Sequence, residues 1–193
     1  MFWSRFMSKS TQITIGIFAI LIILYFLNHT SQSNLTLEGT SIFSGNNDDV
    51  YRFLIVDGND SLELIRNDST WTITQADTLV IKNNQIEKLF DRVLKVKKEF
   101  IVSKNPEKWS TFGVIDSLGR QLSFFNKNNK NLGSYVFGNE GQDYQHNYIR
   151  EKNGKDVFRT NDNVYFLLNS GVTYWGKNPP KPEINDIDTT SAS

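Results

Sequence analysis

Imidazole, thiol and carboxylate groups are where chemistry would begin, and 193 residues supply only two histidines, His29 and His146, and no cysteine. A zinc or iron site of the usual His or Cys kind therefore cannot be assembled within one chain. A serine triad would need His146 as its base, yet no Gly-x-Ser-x-Gly elbow is present to serve it. In DYQHNYIR, His146 reads as a strand-edge or loop residue. Asp57, Asn59, Asp60 and Glu63 offer calcium-type oxygens, but not at EF-hand spacing, so DGND reads as a turn. Gly138 and Gly141, with Asn139 and Glu140, form the most glycine-rich loop. It lacks the Lys-Ser or Lys-Thr pair and the strand-to-helix passage of a phosphate cradle, which leaves a connection between strands. Asp48 with Asp49, and Asp186 with Asp188, are paired carboxylates in loop and tail, with no cleft expected between them. Sequons at Asn28, Asn34, Asn59 and Asn67 matter only in a eukaryotic secretory pathway. No catalytic residue, cofactor or metal is expected, and the chain reads as a non-enzyme.

Two surfaces remain as binding candidates. Lys88, Arg92 and Lys95 recur at helical spacing and form a basic stripe able to face an acidic partner or a lipid headgroup. A solvated face with Asp91 pairing to Lys95 is the plainer account of the same residues. Trp71, Trp109, Tyr144, Tyr148 and Trp175 could stack on a glycan or peptidoglycan, although aromatics in a small domain more often fill its core.

The elements that must hold these residues follow from periodicity. Strands are expected at 35–43, 50–56, 61–66 and 71–74, with Gly58 and Asn59 in a tight hairpin turn, a second turn at 67–69, and Trp71 and Ile73 on one face. The clearest helix is expected from Lys82 to Phe100, where Ile86, Leu89, Phe90, Val93 and Leu94 make one apolar stripe. Asp77 or Thr78 marks the turn before it, with Asn83 or Asn84 as an alternative N-cap. Pro106 starts a short helical turn that closes at Gly113. Strands at 120–125, 132–137, 144–150 and 156–159 form an antiparallel meander, and 161–169 reads as a short capped helix ended by Gly171. From Lys177 onward the chain is Pro-rich, then polar, and is expected to be disordered.

Ahead of all this lies ITIGIFAILIILYFL, Ile13 to Leu27, fifteen residues without a charge. Fifteen helical residues cover roughly 22 Å against a hydrocarbon core of roughly 30 Å, so Thr11, Gln12 and Asn28 must help the span. No Ala-x-Ala cleavage site and no cysteine follows, which favours an uncleaved anchor in the lipid bilayer over a signal peptide. Arg5 and Lys9 precede the run and no Lys or Arg follows it in residues 28–37, so the N-terminus is placed in the cytoplasm. Those two account for two of 21 basic residues, leaving 19 against 21 acidic ones beyond the anchor. A near-neutral domain gives no electrostatic warrant for nucleic acid. The expected layout is a cytoplasmic N-terminus at 1–10, a transmembrane helix at 11–29, a spacer at 30–49, an α+β domain at 50–176 and a disordered tail at 177–193. The domain is expected in the periplasm, held to a bacterial inner membrane, with mostly antiparallel strands packed on an amphipathic helix.

An ordered series of short signals runs from Trp71 to Trp175: Trp71-Thr72-Ile73, Asp77 before the Ile86 to Leu94 stripe, Phe112-Gly113-Val114, the alternating Gln121 to Phe125, Phe137-Gly138, Tyr148 to Arg150, and Val157-Phe158. In that order they resemble the bacterial domain of unknown function 4340 family, with Val114 where Leu is usual. The resemblance implies a membrane-associated envelope protein with an accessory role, some relatives lying beside gliding-motility-type ABC transporter components. It implies no enzyme activity and no catalytic residues. A protein partner in an envelope or transporter assembly is the first functional expectation, and a periplasmic glycan-binding module the second.

Overall fold

The computed structural model describes residues 9–33, 36–141 and 143–180. The expected cytoplasmic segment with Arg5, the sequon at Asn34, the Asp186 and Asp188 pair, and the tail beyond Pro180 lie outside them.

Helix α1, Lys9–Ser33, opens the described chain. Its apolar side chains from Ile13 to Leu27 are all exposed, so nothing in the domain covers them. Residues Lys9–Leu27, with a mean hydropathy of 2.1, make one helix long and apolar enough to cross a membrane. Nineteen helical residues give about 28 Å, close to the roughly 30 Å needed. Within the expected spacer at 30–49, the strand expected at 35–43 is present. α1 continues to Ser33, and Thr36–Ser41 forms strand β1, because its backbone pairs with a strand sixty residues further on.

The domain is α+β. Strands β2 (Arg52–Asp57), β3 (Asp60–Asn67) and β4 (Thr70–Ile73) follow one another through tight turns, with Gly58 and Asp68 in the left-handed region. A two-residue strand β5, Val80–Ile81, leads into helix α2, Asn83–Lys88, and a π turn, Leu89–Val93. Then come β6 (Lys97–Ser103), β7 (Arg120–Phe125), β8 (Asn131–Glu140), β9 (Asn147–Glu151) and β10 (Val157–Thr160). Helix α3, Val172–Trp175, and β11, Gly176–Lys177, close the domain, β11 pairing with β5. The main sheet has nine strands in the order β1-β6-β10-β9-β8-β7-β2-β3-β4, every neighbour antiparallel.

Several expectations are corrected. The helix from Lys82 to Phe100 stops at the π turn, and α2 starts at Asn83 behind Lys82 with no side-chain cap. Residues Lys97 to Ser103 form a central strand, paired with β1 on one side and β10 on the other. Non-local ladders on both edges outweigh the helix preference of two lysines there. The stretch 161–169 holds only a single 3-10 turn, Tyr165–Leu167, and Gly171 precedes a helix where it was expected to end one. Gly138 and Asn139 lie inside β8, so the connection begins only at Gly141.

Because opposed residues share a face, alternation divides the sheet. One face presents Phe53, Ile55, Leu62, Leu64, Ile73, Leu122, Phe124, Phe137 and Ile149, all fully buried. Ile86, Leu89, Val93 and Leu94 pack on them, as the apolar stripe anticipated. The other face is covered over β8, β9 and β10 by residues 104–119, through a smaller cluster of Val114, Val136 and Val157 with Trp109, Phe112 and Tyr148.

Pairing also gives the sheet two ends. β1 begins three residues after α1 and runs away from it; Thr36 pairs with Phe100, and Ser41 with Lys97. Following the antiparallel register, the loops 104–108, 126–130 and 152–156 lie at the α1 end. The loops 58–59, 141–146 and 161–163 lie at the far end.

Candidate functional site

The motif residues converge, but on a structural lock. Arg150 on β9 sits opposite Val136 and Val157 and is 1% exposed. Its Nε donates to the Val114 carbonyl at 3.1 Å, and its Nη1 donates to the carbonyls of Glu151 at 3.1 Å and Lys152 at 2.8 Å. Its Nη2 donates to Asp116, and the guanidinium lies 3.9 Å from the centre of the Trp109 ring. Trp109 Nε1 donates to the Lys155 carbonyl at 3.0 Å, tying the same covering segment to the β9–β10 turn. Gly138 is required here: a Cβ would stand 2.0 Å from the Phe112 carbonyl oxygen. Gly113, at φ +66°, turns the covering segment over β8, and Phe112 meets Tyr148 edge to face at 4.8 Å. Each of its three nitrogens has an acceptor, so the buried charge is compensated within the fold.

Two of the carboxylates weighed for calcium, Asp57 and Glu63, are committed to arginines, as is Asp48 of the loop pair. Asp57 accepts from Arg120 Nε at 2.8 Å, Glu63 from Arg52 at 2.8 Å, and Asp48 from Arg66 at 3.3 Å. His146 sits 2.5 Å from Asp143 Oδ2 through Nδ1 and, with the Asn147 strand start, closes the β8–β9 connection. Burial raises the Asp143 pKa, but hydrogen bonds from His146 and from the backbone N–H groups of Gln145 and His146 outweigh it and hold the carboxyl below its ordinary value.

The basic stripe is partly spent. Arg92 makes a bidentate pair with Asp162, Nε to Oδ2 at 2.9 Å and Nη2 to Oδ1 at 2.8 Å. Lys95 pairs with Asp91 at 2.8 Å, and Lys88 is exposed. The five aromatics do not share a platform. Trp175 is 1% exposed, Trp71 packs between Phe53 and Phe90, and Trp109 and Tyr148 belong to the lock.

Tyr144 is the exception, 74% exposed and at φ +58°, a left-handed conformation that costs a bulky side chain about 1 kcal/mol. Asn163 Nδ2 donates to its carbonyl at 3.2 Å. Buried Asn147 and Thr160 set the loops on either side. Asn147 Oδ1 accepts from the Val164 N–H at 3.1 Å, Thr160 Oγ1 accepts from the Asn147 N–H at 3.0 Å, and the Thr160 hydroxyl faces the Asp162 carbonyl at 2.8 Å. The result is a cleft of about 470 Å³ at the far end of the sheet, lined by Tyr144 and Phe166 around the Arg92–Asp162 pair, with Gln145, Asn163 and Tyr165. Phe166 is 52% exposed, and the Arg92 guanidinium lies 5.3 Å from its ring centre. Exposed aromatics flanking an arginine, edged by amides, have the composition of a protein-binding hot spot. The sequence held one signal for it: Tyr144, Arg92 and the Asn-rich turn were visible, but their meeting was not. A larger open cleft of about 530 Å³ lies between Tyr51, Arg52, Arg66 and Lys127, with Glu63 and Asp68 in its wall.

Comparison with curated proteins and with solved structures yields no match. A family model does match. The residues it covers, 71–175, begin at β4 and end at α3, so they include the whole lock and the far-end cleft but not β2 and β3, which join β4 to the sheet. That model is the Domain of unknown function (DUF4340), it spans more than half of the 193 residues, and the chain belongs to this family.

Proposed function

We propose that the chain is a single-pass membrane protein of the bacterial envelope. Its N-terminus is cytoplasmic, and its domain holds a protein partner in the far-end cleft on the periplasmic side. The role is binding, without catalysis, in an envelope or transporter assembly. The observation that carries this reading is the pair Tyr144 and Phe166: both are exposed beside an arginine, at the end of the sheet opposite to α1. A partner reached across the envelope would meet that end first. The α1 composition and the asymmetric charge of Arg5 and Lys9 support the anchoring and orientation.

A photo-crosslinking phenylalanine analogue at position 166, in cells carrying the full chain, tests the proposal. The expected result is a discrete protein adduct in the membrane fraction that disappears in Arg92→Ala. A missing adduct, or one indifferent to Arg92, contradicts the cleft as the binding surface.

A further inference from the structure

We infer that the α1 end of the sheet is a second surface, docking on the anionic headgroups of the membrane that α1 enters. The inference rests on the reading of α1 as an anchor. Three adjoining loops at that end carry Lys104 and Lys108, Lys152 and Lys155, and Lys127 and Lys130, all six exposed. None of the six is in an ion pair among the described residues; at the same end Arg52 and Arg66 are paired with Glu63 and Asp48, and at the far end Arg92, Lys95 and Arg120 are paired while the exposed Lys97 is not. Glu107 and Asp156 are the acidic residues within the same loops, and Glu107 is held by Asn105 at 3.2 Å. Trp109, next to the first loop, donates to the Lys155 carbonyl at 3.0 Å in the second, and the Lys152 N–H donates to the Ser134 carbonyl on β8 at 2.9 Å. Six exposed lysines without ion pairs, gathered at the end that α1 adjoins, form a basic surface that an anionic layer beside that end accounts for.

Chain length brings that surface within reach. If Lys9–Leu27 occupies the hydrocarbon layer, residues 28–33 add about 9 Å of helix, roughly the depth of the headgroup region. Asn34 and Leu35 alone separate α1 from β1, so Thr36 starts within about 11 Å of Ser33. That separation is comparable with the Debye length of about 8 Å at physiological salt, so lysines beside β1 feel the surface directly, and those of the loops further across the sheet, at 152–156 and 126–130, do so when this end of the sheet lies along it. Zwitterionic lipid supplies no such field, and the commitment is therefore to anionic lipid.

The absence of cysteine makes the test simple, since Asn153→Cys places a single fluorophore on the β9–β10 turn. The full chain is reconstituted into vesicles of phosphatidylcholine alone, or with about one third phosphatidylglycerol, each bearing a headgroup quencher. Flotation reports the anchor, and quenching within the floated protein reports docking. Stronger quenching is expected in the anionic vesicles, reversed by high salt. The Lys152→Gln, Lys155→Gln double variant should lower the docked-to-free ratio up to roughly thirtyfold, while Lys95→Gln leaves it unchanged. Equal quenching in both vesicles, or a double variant that still docks, overturns the inference even when the protein floats. Protein that fails to float removes the anchor reading and this inference with it.

Discussion

Arg150 and Arg92 are both arginines facing an aspartate, and they do different work. Arg150 is enclosed: the carbonyls of Val114, Glu151, Lys152 and Gly154 and the Asp116 carboxylate accept from its three nitrogens, the Trp109 ring covers its face, and its side chain is almost without exposure. Arg92 pairs with Asp162 as neatly, but both side chains are more than a third exposed, and two uncovered aromatics stand beside them. The first pair holds 104–119 onto the sheet; the second edges a cleft that faces away from α1. A strong ion pair is thus no guide to function by itself, and what separates the two is whether polar and aromatic surface is left over around them. Of the short signals between Trp71 and Trp175, Phe112-Gly113-Val114, Gly138, Tyr148 to Arg150 and Val157 belong to the enclosed region.

Breaking the enclosed pair should have the largest effect. Arg150→Met leaves several buried carbonyls without donors and is expected to cost about 3 to 5 kcal/mol in urea unfolding. Next comes Gly138→Ala, whose Cβ collides with the Phe112 backbone, at about 2 to 4 kcal/mol. Gly141→Ala, three residues on, where the nearest atom a Cβ would meet is the His146 carbonyl oxygen at 3.3 Å, should cost less than about 1 kcal/mol in the same assay. The apolar face has a polar member to compare with the lock. Tyr135 donates to the Ile42 carbonyl at 2.9 Å, and burial, with Glu151 nearby, pushes its pKa up to about 12. A raised folded-state value means the stabilisation is complete below the ordinary tyrosine value of about 10 and is lost as pH rises through about 12. Some 2 to 3 kcal/mol should go across that window, and Tyr135→Phe should remove that part of the alkaline decline. The smallest effect belongs to the open pair: Arg92→Ala should change stability by less than about 1 kcal/mol while abolishing the adduct at position 166.

The strands were largely legible, because alternation and turns such as DGND are local signals. So was the stripe from Ile86 to Leu94. Its end was not, since Lys97 to Phe100 continue a helix-compatible pattern and only pairing with β1 and β10 makes them a strand. Arg150 could be seen as part of a motif, yet its role depends on Val114 and Asp116, more than thirty residues away. The cleft was hidden for the same reason: Tyr144 was read inside a strand and 161–169 as a helix, while Asn147, Asn163 and Thr160 instead bend both into facing loops.

Tyr144→Gly separates binding from folding most directly, because glycine relieves the left-handed backbone while removing the exposed ring. Urea unfolding and crosslinking from position 166, measured on the same membranes, should show stability unchanged or raised by up to about 1 kcal/mol and the adduct lost. An adduct that persists at full yield in the folded variant would contradict the far-end cleft as the place where this domain holds its partner.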